Sequence, residues 1–525
     1  MSGGRTAKTA AEPARPVFGV SGPLPAGPVL AVAGLSLAGV LLVLLGTSKY
    51  GPGLWPDGTN LLWSAKSLVA GKGFLSASGQ PMTAWPPLFP ALAALPGLAG
   101  IEPWPVVRFL NAAAFGLTVF LSGLVFLRLL SHRSLALVGT AAIFLSHPLA
   151  AVSVMAWPET VFYLLALVFL LSLGRLLVTW SARSLALTAL VTAAAALTHY
   201  SGASLVLAGV AGIFILGRAQ PLRRRAGFAA VLAASGLVPL LAWLARNVRL
   251  TGSLAGQRVP ITRLNFLEGL LTALREWFFP PGLTEWLGVV GLIIAAGLAL
   301  FLSVAAWRAT RATQAGPALI LRAGVVWLGS FALVLLLPEP PMNFDPIPDR
   351  VLVPAFVMVV VLLFFGLDRL SRSLARRLGN ALVPELIVLA LALVWVSYPL
   401  THVSRVYGEW IALGAGGYNA DQWRSSPTVR ALASVPQPES IAIYSNEPLA
   451  IRLLARRDAK IAPRRTDNIP EFRRSLGSGT ACLVWFAAAP APYLYSPEEL
   501  GRMLALERIQ TFPDAAVYSM RAGLP

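Results

Sequence analysis

The sequence predicts a polytopic α-helical membrane protein with a small α/β region at its C-terminal end. Three observations predict it. Of the 525 residues, 56% are hydrophobic and only 12% charged, with a mean hydropathy of +0.70, more apolar surface than a soluble domain can cover. Apolar runs of bilayer length, roughly 17 to 25 residues, recur eleven times before residue 401. Beyond that point, short strand-like runs alternate with short helical ones, the pattern of a small α/β unit.

Taken in order, residues 1–27 read as a polar, Pro-rich cytoplasmic tail rather than a cleaved signal. The apolar run that follows is long enough to span, and no small-residue cleavage site stands out. The expected spans are 28–46, 106–127, 135–153, 160–178, 184–198, 202–217, 227–245, 287–306, 323–338, 351–367 and 382–400, which together make a membrane domain over 28–400. The fifth and sixth are the shortest. Between the first two lies a segment, 47–105, too rich in Gly and Pro to cross a bilayer and too aromatic to be a solvated linker. Within it, TNLLWSAKSLVAG has helical spacing and is expected along the membrane surface. The WPPLFP run is expected to turn the chain back, since Pro cannot continue a helix. In 401–525, SIAIYSN and ACLVWF read as strands, and EPLAIRLLARR and SPEELGRMLALE as helices,.

Charge sets the orientation. The formal charge of +19 is almost all Arg, with Lys only at positions 8, 49, 66, 72 and 460. In a soluble protein that excess would suggest nucleic acid; here arginines of cytoplasmic loops account for it, and no nucleic-acid partner is expected. Alternating the spans from an inner N-terminus puts Arg128 and Arg133, Arg175 and Arg183, Arg218 and Arg223 to Arg225, Arg308, Arg311 and Arg322, and Arg369, Arg372, Arg376 and Arg377 on one side. The other side receives the 47–105 segment, the AWPET and THYSG turns, the loops 246–286 and 338–350, and the C-terminal region. That region is therefore expected outside the membrane. No internal repeat is evident, unlike many secondary transporters. Cys482 is the only cysteine, which excludes an intramolecular disulfide and a cysteine metal site.

Carboxylates expected on the outer face are few: Asp57, Glu102, Glu159, Glu268, Glu276, Glu285, Glu339, Asp345 and Asp349. Asp57 precedes an amphipathic helix, so the bland alternative is an N-cap. Glu159 opens the fourth span, where the helix dipole also favours a negative charge. Two carboxylates at one membrane depth could instead orient an acceptor hydroxyl and accept its proton, as chemistry at a sugar carbon requires. Among the outer cations, Arg246 and Arg350 each sit at the mouth of a span beside a polar loop, where a guanidinium could stabilise a departing phosphate. His199 could join them, although a lone His is more often a hydrogen-bonding spacer. Lys66, Tyr200 and Asp349 are further candidates on the same face. Trp55, Trp63, Trp85, Trp104 and Trp157 fit an interfacial belt, with one or two free to stack on a sugar. There is no P-loop, His/Cys metal spacing, G-x-S-x-G elbow or dinucleotide fingerprint. Nothing therefore requires a cofactor; a divalent metal between carboxylates stays open, although no spacing calls for it.

PDGTNLLWSAKSLVAGKGF followed by WPPLFPALAAL resembles the first outer loop of GT-C fold membrane glycosyltransferases, in the bacterial group related to protein O-mannosyltransferases and lipid A aminoarabinose transferases. VVRFLNA, WPETVF, LTHYSG, ARNVRLTG, DRVLVP and YSNEPLAIRLLARR resemble further stretches of that group, in the same order over nearly the whole chain. The resemblance implies a bacterial inner-membrane enzyme that moves a sugar, with inversion, from a polyprenyl-phosphate donor to a cell-envelope lipid, glycan or protein on the outer face. It maps Asp57 and Glu159 to the acidic catalytic positions, and His199, Arg246 and Arg350 to the phosphate. Gly58 stands where protein mannosyltransferases carry a second acid, Leu61 or Leu62 replaces a usual Tyr, and His199 replaces an Arg. The Gly58 departure counts against protein acceptors. A transporter or flippase of lipid-linked sugars is the alternative; it would place ionisable groups or broken helices near the bilayer midplane, whereas the span centres here are almost free of charge. A third reading is a scaffold whose outer domain binds a wall component.

Overall fold

The computed structural model describes residues 22–256, 272–273, 276–312, 316–336, 348–434, 441–477, 479–489 and 491–523. Among the described residues, each of the eleven apolar segments coincides with helix. They form α1 (Ala26–Gly46), α4 (Pro103–Leu129), the pair α5 (Arg133–Phe144) and α6 (His147–Ser153), α7 (Glu159–Thr179), α8 (Ala182–Thr198), α9 (Ala203–Leu216), α10 (Leu222–Thr251), α11 (Pro281–Thr310), α12 (Gly316–Leu336), α13 (Pro348–Leu378) and α14 (Leu382–Leu413). Among the described residues, seven helices are long and apolar enough to cross a membrane, or eight if α5 and α6, bent by 43°, make one span. The expected span at 135–153 is thus a broken helix: Ser146 caps α6 through Leu149 N–H, and Pro148 follows in its first turn. Proline is tolerated there because the first turn has no partner for its missing N–H.

Burial sorts the bundle into centre and rim. In α13, 78% of the apolar window is buried, against 22% in α1 and in α14. Phe364 and Phe365 of α13 pack in one continuous core with Phe126, Tyr163, Phe169 and Trp327. Leu30, Leu37 and Leu41 of α1 and Leu386, Leu391 and Val394 of α14 point outward, as a lipid-facing surface permits and water would not. The first turn of α13 carries Arg350, itself buried.

The segment between α1 and α4 holds α2 (Pro56–Val69) and α3 (Leu88–Ala94). Leu61 and Leu62 of α2 are buried beside Phe89 and Trp243, so this segment packs as a lid on the bundle end. WPPLFP does not simply turn the chain. Pro87 is the N-cap of α3 and Pro90 lies in its first turn, both places where proline costs no hydrogen bond.

The C-terminal region is a five-stranded mixed sheet with strand order β2-β1-β3-β5-β4, from β1 (Ile443–Ser445), β2 (Lys460–Ile461), β3 (Ala481–Phe486), β4 (Ala505–Thr511) and β5 (Ala515–Arg521). β1 runs parallel to β2 and β3, while β5 is antiparallel to β3 and β4. SIAIYSN and ACLVWF hold β1 and β3. SPEELGRMLALE is helical only over Pro497–Gly501, started by a Ser496/Glu499 capping box, and its last residues enter β4. α14 continues past the expected end of its span to Leu413.

Candidate functional site

Backbone pairing brings the two acidic positions together. The N–H of Gly53 donates to Val154 O at 2.8 Å, and that of Ala156 to Gly53 O at 2.9 Å. Leu54 N–H donates to Gly416 O at 3.2 Å, and Tyr418 N–H to Leu54 O at 2.7 Å. One short stretch after α1 is thus clipped on one side to the turn before α7 and on the other to the start of the C-terminal region. Gly417 makes the second clip feasible. Its φ is +57°, and a Cβ there would stand 2.0 Å from Leu54 O, so neither backbone conformation nor space admits a side chain. Asn111 of α4 braces the turn, its Nδ2 donating to Met155 O at 2.7 Å.

Asp57 and Glu159 each follow three residues after a clipped position, and both open helices. Asp57 is not the N-cap of α2; Trp55 is, with Pro56 in the first position. Its carboxylate is therefore free of capping duty and sits in the first turn, where the helix dipole favours a negative charge. Glu159 is the first residue of α7 and is 2% exposed.

Arg350 joins them. Its Nη1–H donates to Asp57 Oδ2 at 2.5 Å and its Nε–H donates to Glu159 Oε1. The guanidinium lies over Trp157, 4.2 Å from the ring centroid, which makes Trp157 a platform for the cation rather than a member of an interfacial belt. The fork of the guanidinium suits two separate carboxylates better than a lysine would. Among the described residues, the second oxygen of Glu159, Oε2, is buried and has no hydrogen-bond partner.

His199 stands on the other side of Glu159. It ends α8, and its Nδ1 accepts the Ser201 N–H at 3.2 Å. A neutral ring so held carries its proton on Nε2, which faces Glu159 Oε1 at 3.7 Å, too long for a hydrogen bond. The ring stacks on Phe162 at 5.1 Å. Gly202 allows this tight turn, since a Cβ would meet Ala195 O at 2.5 Å.

Arg246 forms a second group. Its Nη1–H donates to Met82 O and to Asn247 Oδ1, each at 3.0 Å, and its guanidinium lies 4.3 Å from the Trp243 ring centroid. Tyr200 belongs here, its hydroxyl donating to Thr83 O at 2.8 Å, while Asn247 Nδ2 donates to Leu254 O at 2.9 Å. Among the described residues no carboxylate pairs with Arg246. Asn247 and Trp243 escaped the sequence reading, although Trp243 lies one helical turn before Arg246 and so on the same face.

Lys66 is not part of either group. Nine residues beyond Asp57 on α2, it lies roughly 14 Å along the axis and about 180° around it. Its nearest acid is Glu102, 4.0 Å away, and both are exposed. The Asp349 side chain lies outside the described residues, as do Glu268, Glu285, Glu339 and Asp345. Among the described residues, no group of three His, Cys, Asp or Glu side chains could hold a metal ion.

Neither a family model nor a curated protein matches the sequence. Solved structures do match. ArnT from Cupriavidus metallidurans in the apo state aligns over 93% of this chain and 97% of its own, with a TM-score of 0.58 and 13% identity. ArnT from the same organism bound to undecaprenyl phosphate aligns over 92% and 97%, with a TM-score of 0.54 and 14% identity. At such identity the likeness is one of fold. The chain is a multi-pass helical protein of the GT-C fold with a small C-terminal sheet region.

Proposed function

We propose that this chain is a membrane glycosyltransferase that moves a sugar from a polyprenyl-phosphate donor to a cell-envelope acceptor, with inversion at the anomeric carbon. The observation that carries the reading is Arg350, 5% exposed and held between Asp57 and Glu159 at the bundle end. The undecaprenyl phosphate bound by the similarly folded ArnT supports the choice of donor.

Exposure divides the roles. Asp57, whose side chain is 27% exposed, is the group open to an acceptor. Its carboxylate takes the proton of the acceptor hydroxyl while that oxygen bonds to the anomeric carbon. The bond from that carbon to the phosphate oxygen breaks, and its electron pair leaves with the lipid phosphate. Direct displacement inverts the centre. Glu159, buried and bonded to Arg350 with His199 beside it, positions Arg350 against Asp57. Arg246, whose charge no acid offsets among the described residues, stabilises the negative charge growing on the phosphate. The active groups face the outer side of a bacterial inner membrane, with 401–525 outside and 1–27 inside. Among the described residues the ion pairs of the bundle lie toward the helix ends rather than at the span centres, which favours this over transport of a lipid-linked sugar.

The test is sugar transfer in nanodiscs from a panel of radiolabelled polyprenyl-phosphate sugars, with hydrolysis counted as well. Asp57→Asn is expected to lose about a hundredfold or more while keeping its fold. Equal turnover in both proteins would remove Asp57 from the mechanism. Tight donor binding without consumption would favour the flippase.

A further inference from the structure

A second cleft of about 860 Å³ lies between the stretch after α1, helix α2, the start of α4 and the C-terminal region. Its volume is within the range of small-molecule sites. Its wall carries Lys66, Arg108, Arg424, Arg452, Arg456 and Arg457. Only one carboxylate, Asp458, lines it, and that one pairs with Arg452 at 2.6 Å. Asp458 and, 4.0 Å from Lys66, the exposed Glu102 offset only part of this charge, and an anion between the remaining cations offsets their repulsion.

Part of this charge is structural. Arg108 Nε–H donates to Thr47 Oγ1 at 2.9 Å, and Arg452 Nε–H to Ala459 O at 2.8 Å. Lys66 and Arg456 are different: both are exposed. Arg456 is one of two non-glycine residues with positive φ among the described residues, at +55°, directly after a π-helical turn over Ile451–Ala455. Such backbone is disfavoured for residues with a Cβ and gathers at functional positions. Tyr50, Trp63 and Trp104 also line the cleft, half-buried. Ring faces suit the apolar faces of sugars, and guanidinium groups suit carboxylate and phosphate.

We infer that this cleft binds an anionic saccharide, the headgroup of the acceptor. That the ligand is the acceptor rests on the transferase reading; that the cleft takes an anionic saccharide does not. The residues of the cleft come from both the membrane part and the C-terminal region, so the latter would select the substrate.

Binding is read by calorimetry on the full chain in phosphatidylcholine nanodiscs, with trigalacturonate, glucose 1,6-bisphosphate and neutral maltotriose as probes. One or both anionic sugars are expected to bind, and which one does separates carboxylate from phosphate recognition; maltotriose is expected not to bind. Arg456→Gln and Lys66→Gln should each weaken binding about tenfold, the cost of one charge-assisted hydrogen bond, and Arg456→Lys should recover part of it. Both positions are exposed, and circular dichroism checks that the variants fold. Equal binding of maltotriose, no binding of either anion, or binding indifferent to both substitutions would overturn the proposal. So would displacement of the probe by phosphatidylglycerol in the disc, which would mark a phospholipid headgroup site. Because no turnover is involved, failure here leaves the transferase reading standing, and failure of transfer leaves the cleft standing.

Discussion

Arg350 and Arg246 are the same residue type in similar settings. Each lies near the end of a long helix at the same pole of the bundle, and each covers a tryptophan, at 4.2 Å and 4.3 Å. They differ in what balances their charge. Arg350 is buried between two carboxylates, whereas Arg246 is half-buried and donates only to neutral oxygens among the described residues. A buried cation with its charge returned is a strut that sets the spacing of its acids. A cation held by carbonyl and amide oxygens keeps a field that an arriving anion can use. Similar sequence contexts therefore encode two electrostatic states, and the acids across the fold decide which.

The largest effect should come from breaking the strut. Arg350→Gln leaves Glu159, 2% exposed, as a buried carboxylate without its cation, a loss of about 3–5 kcal/mol. Thermal unfolding in detergent would show it as a large fall in Tm. The double variant Arg350→Gln/Glu159→Gln should regain most of that loss, because the buried charge is gone too, yet stay inactive. If the single variant unfolds within about 1 kcal/mol of the unaltered protein, Arg350 is not holding the site together.

This difference between the arginines was beyond the reach of the sequence. What was legible there was anything that stands out against an apolar background: the runs that became helices, and Asp57, Glu159, His199, Arg246 and Arg350 as polar groups at their ends. Their pairing was not legible, because it depends on Gly53, Leu54 and Gly417 clipping segments far apart in the chain. Lys66 was a candidate as a cation of the same outer face; nine residues of helical rotation put it on the opposite side of α2 from Asp57. The Pro-rich WPPLFP run was expected to turn the chain back, and its last residues also open α3, where a first turn accepts proline without losing a bond,. Helical spacing in SPEELGRMLALE faded at Gly501, and the sheet partner that captures the rest, β5, lies further along the chain. The arginines of the second cleft were hidden among many others, since composition does not distinguish an anchoring arginine from one that lines a site.

A smaller effect sharpens the comparison from the other side. Arg246→Gln removes a cation but strands no acid among the described residues, so stability should fall by only about 1 kcal/mol. Donor affinity should suffer more. Losing one charged hydrogen bond to phosphate is worth about 1.5–3 kcal/mol, or about 10- to 100-fold in Kd. Titrating undecaprenyl phosphate into both proteins in nanodiscs measures it. Unchanged affinity would mean that Arg246 is a strut as well, held for Trp243 and the Met82 carbonyl alone.

The smallest effect concerns a half-buried acid that pairs with no such cation among the described residues. In the C-terminal region, Tyr418 Oη–H donates to Glu447 Oε2 at 2.5 Å. Burial raises the Glu447 carboxyl above its ordinary value of 4.5, and the tyrosine hydrogen bond only partly opposes this. Asp421 goes the other way, lowered by hydrogen bonds from Lys49 and Tyr50. For Glu447 the folded chain holds the proton more tightly than the unfolded one. Between the ordinary value and the raised one the folded state therefore binds more protons, and stability falls as pH rises through that window. For Asp421 the sign reverses: its contribution is present above the ordinary aspartate range and is lost as pH falls through the depressed value. Glu447→Gln keeps an oxygen for Tyr418 and removes the charge. It should flatten the decline above pH 4.5 and leave neutral-pH stability equal or higher, by no more than about 1 kcal/mol. Melting curves of both proteins across that range decide it. A variant that melts lower at neutral pH would mean that the ionised carboxylate is compensated after all, and that Glu447 belongs with Glu159 rather than opposite it.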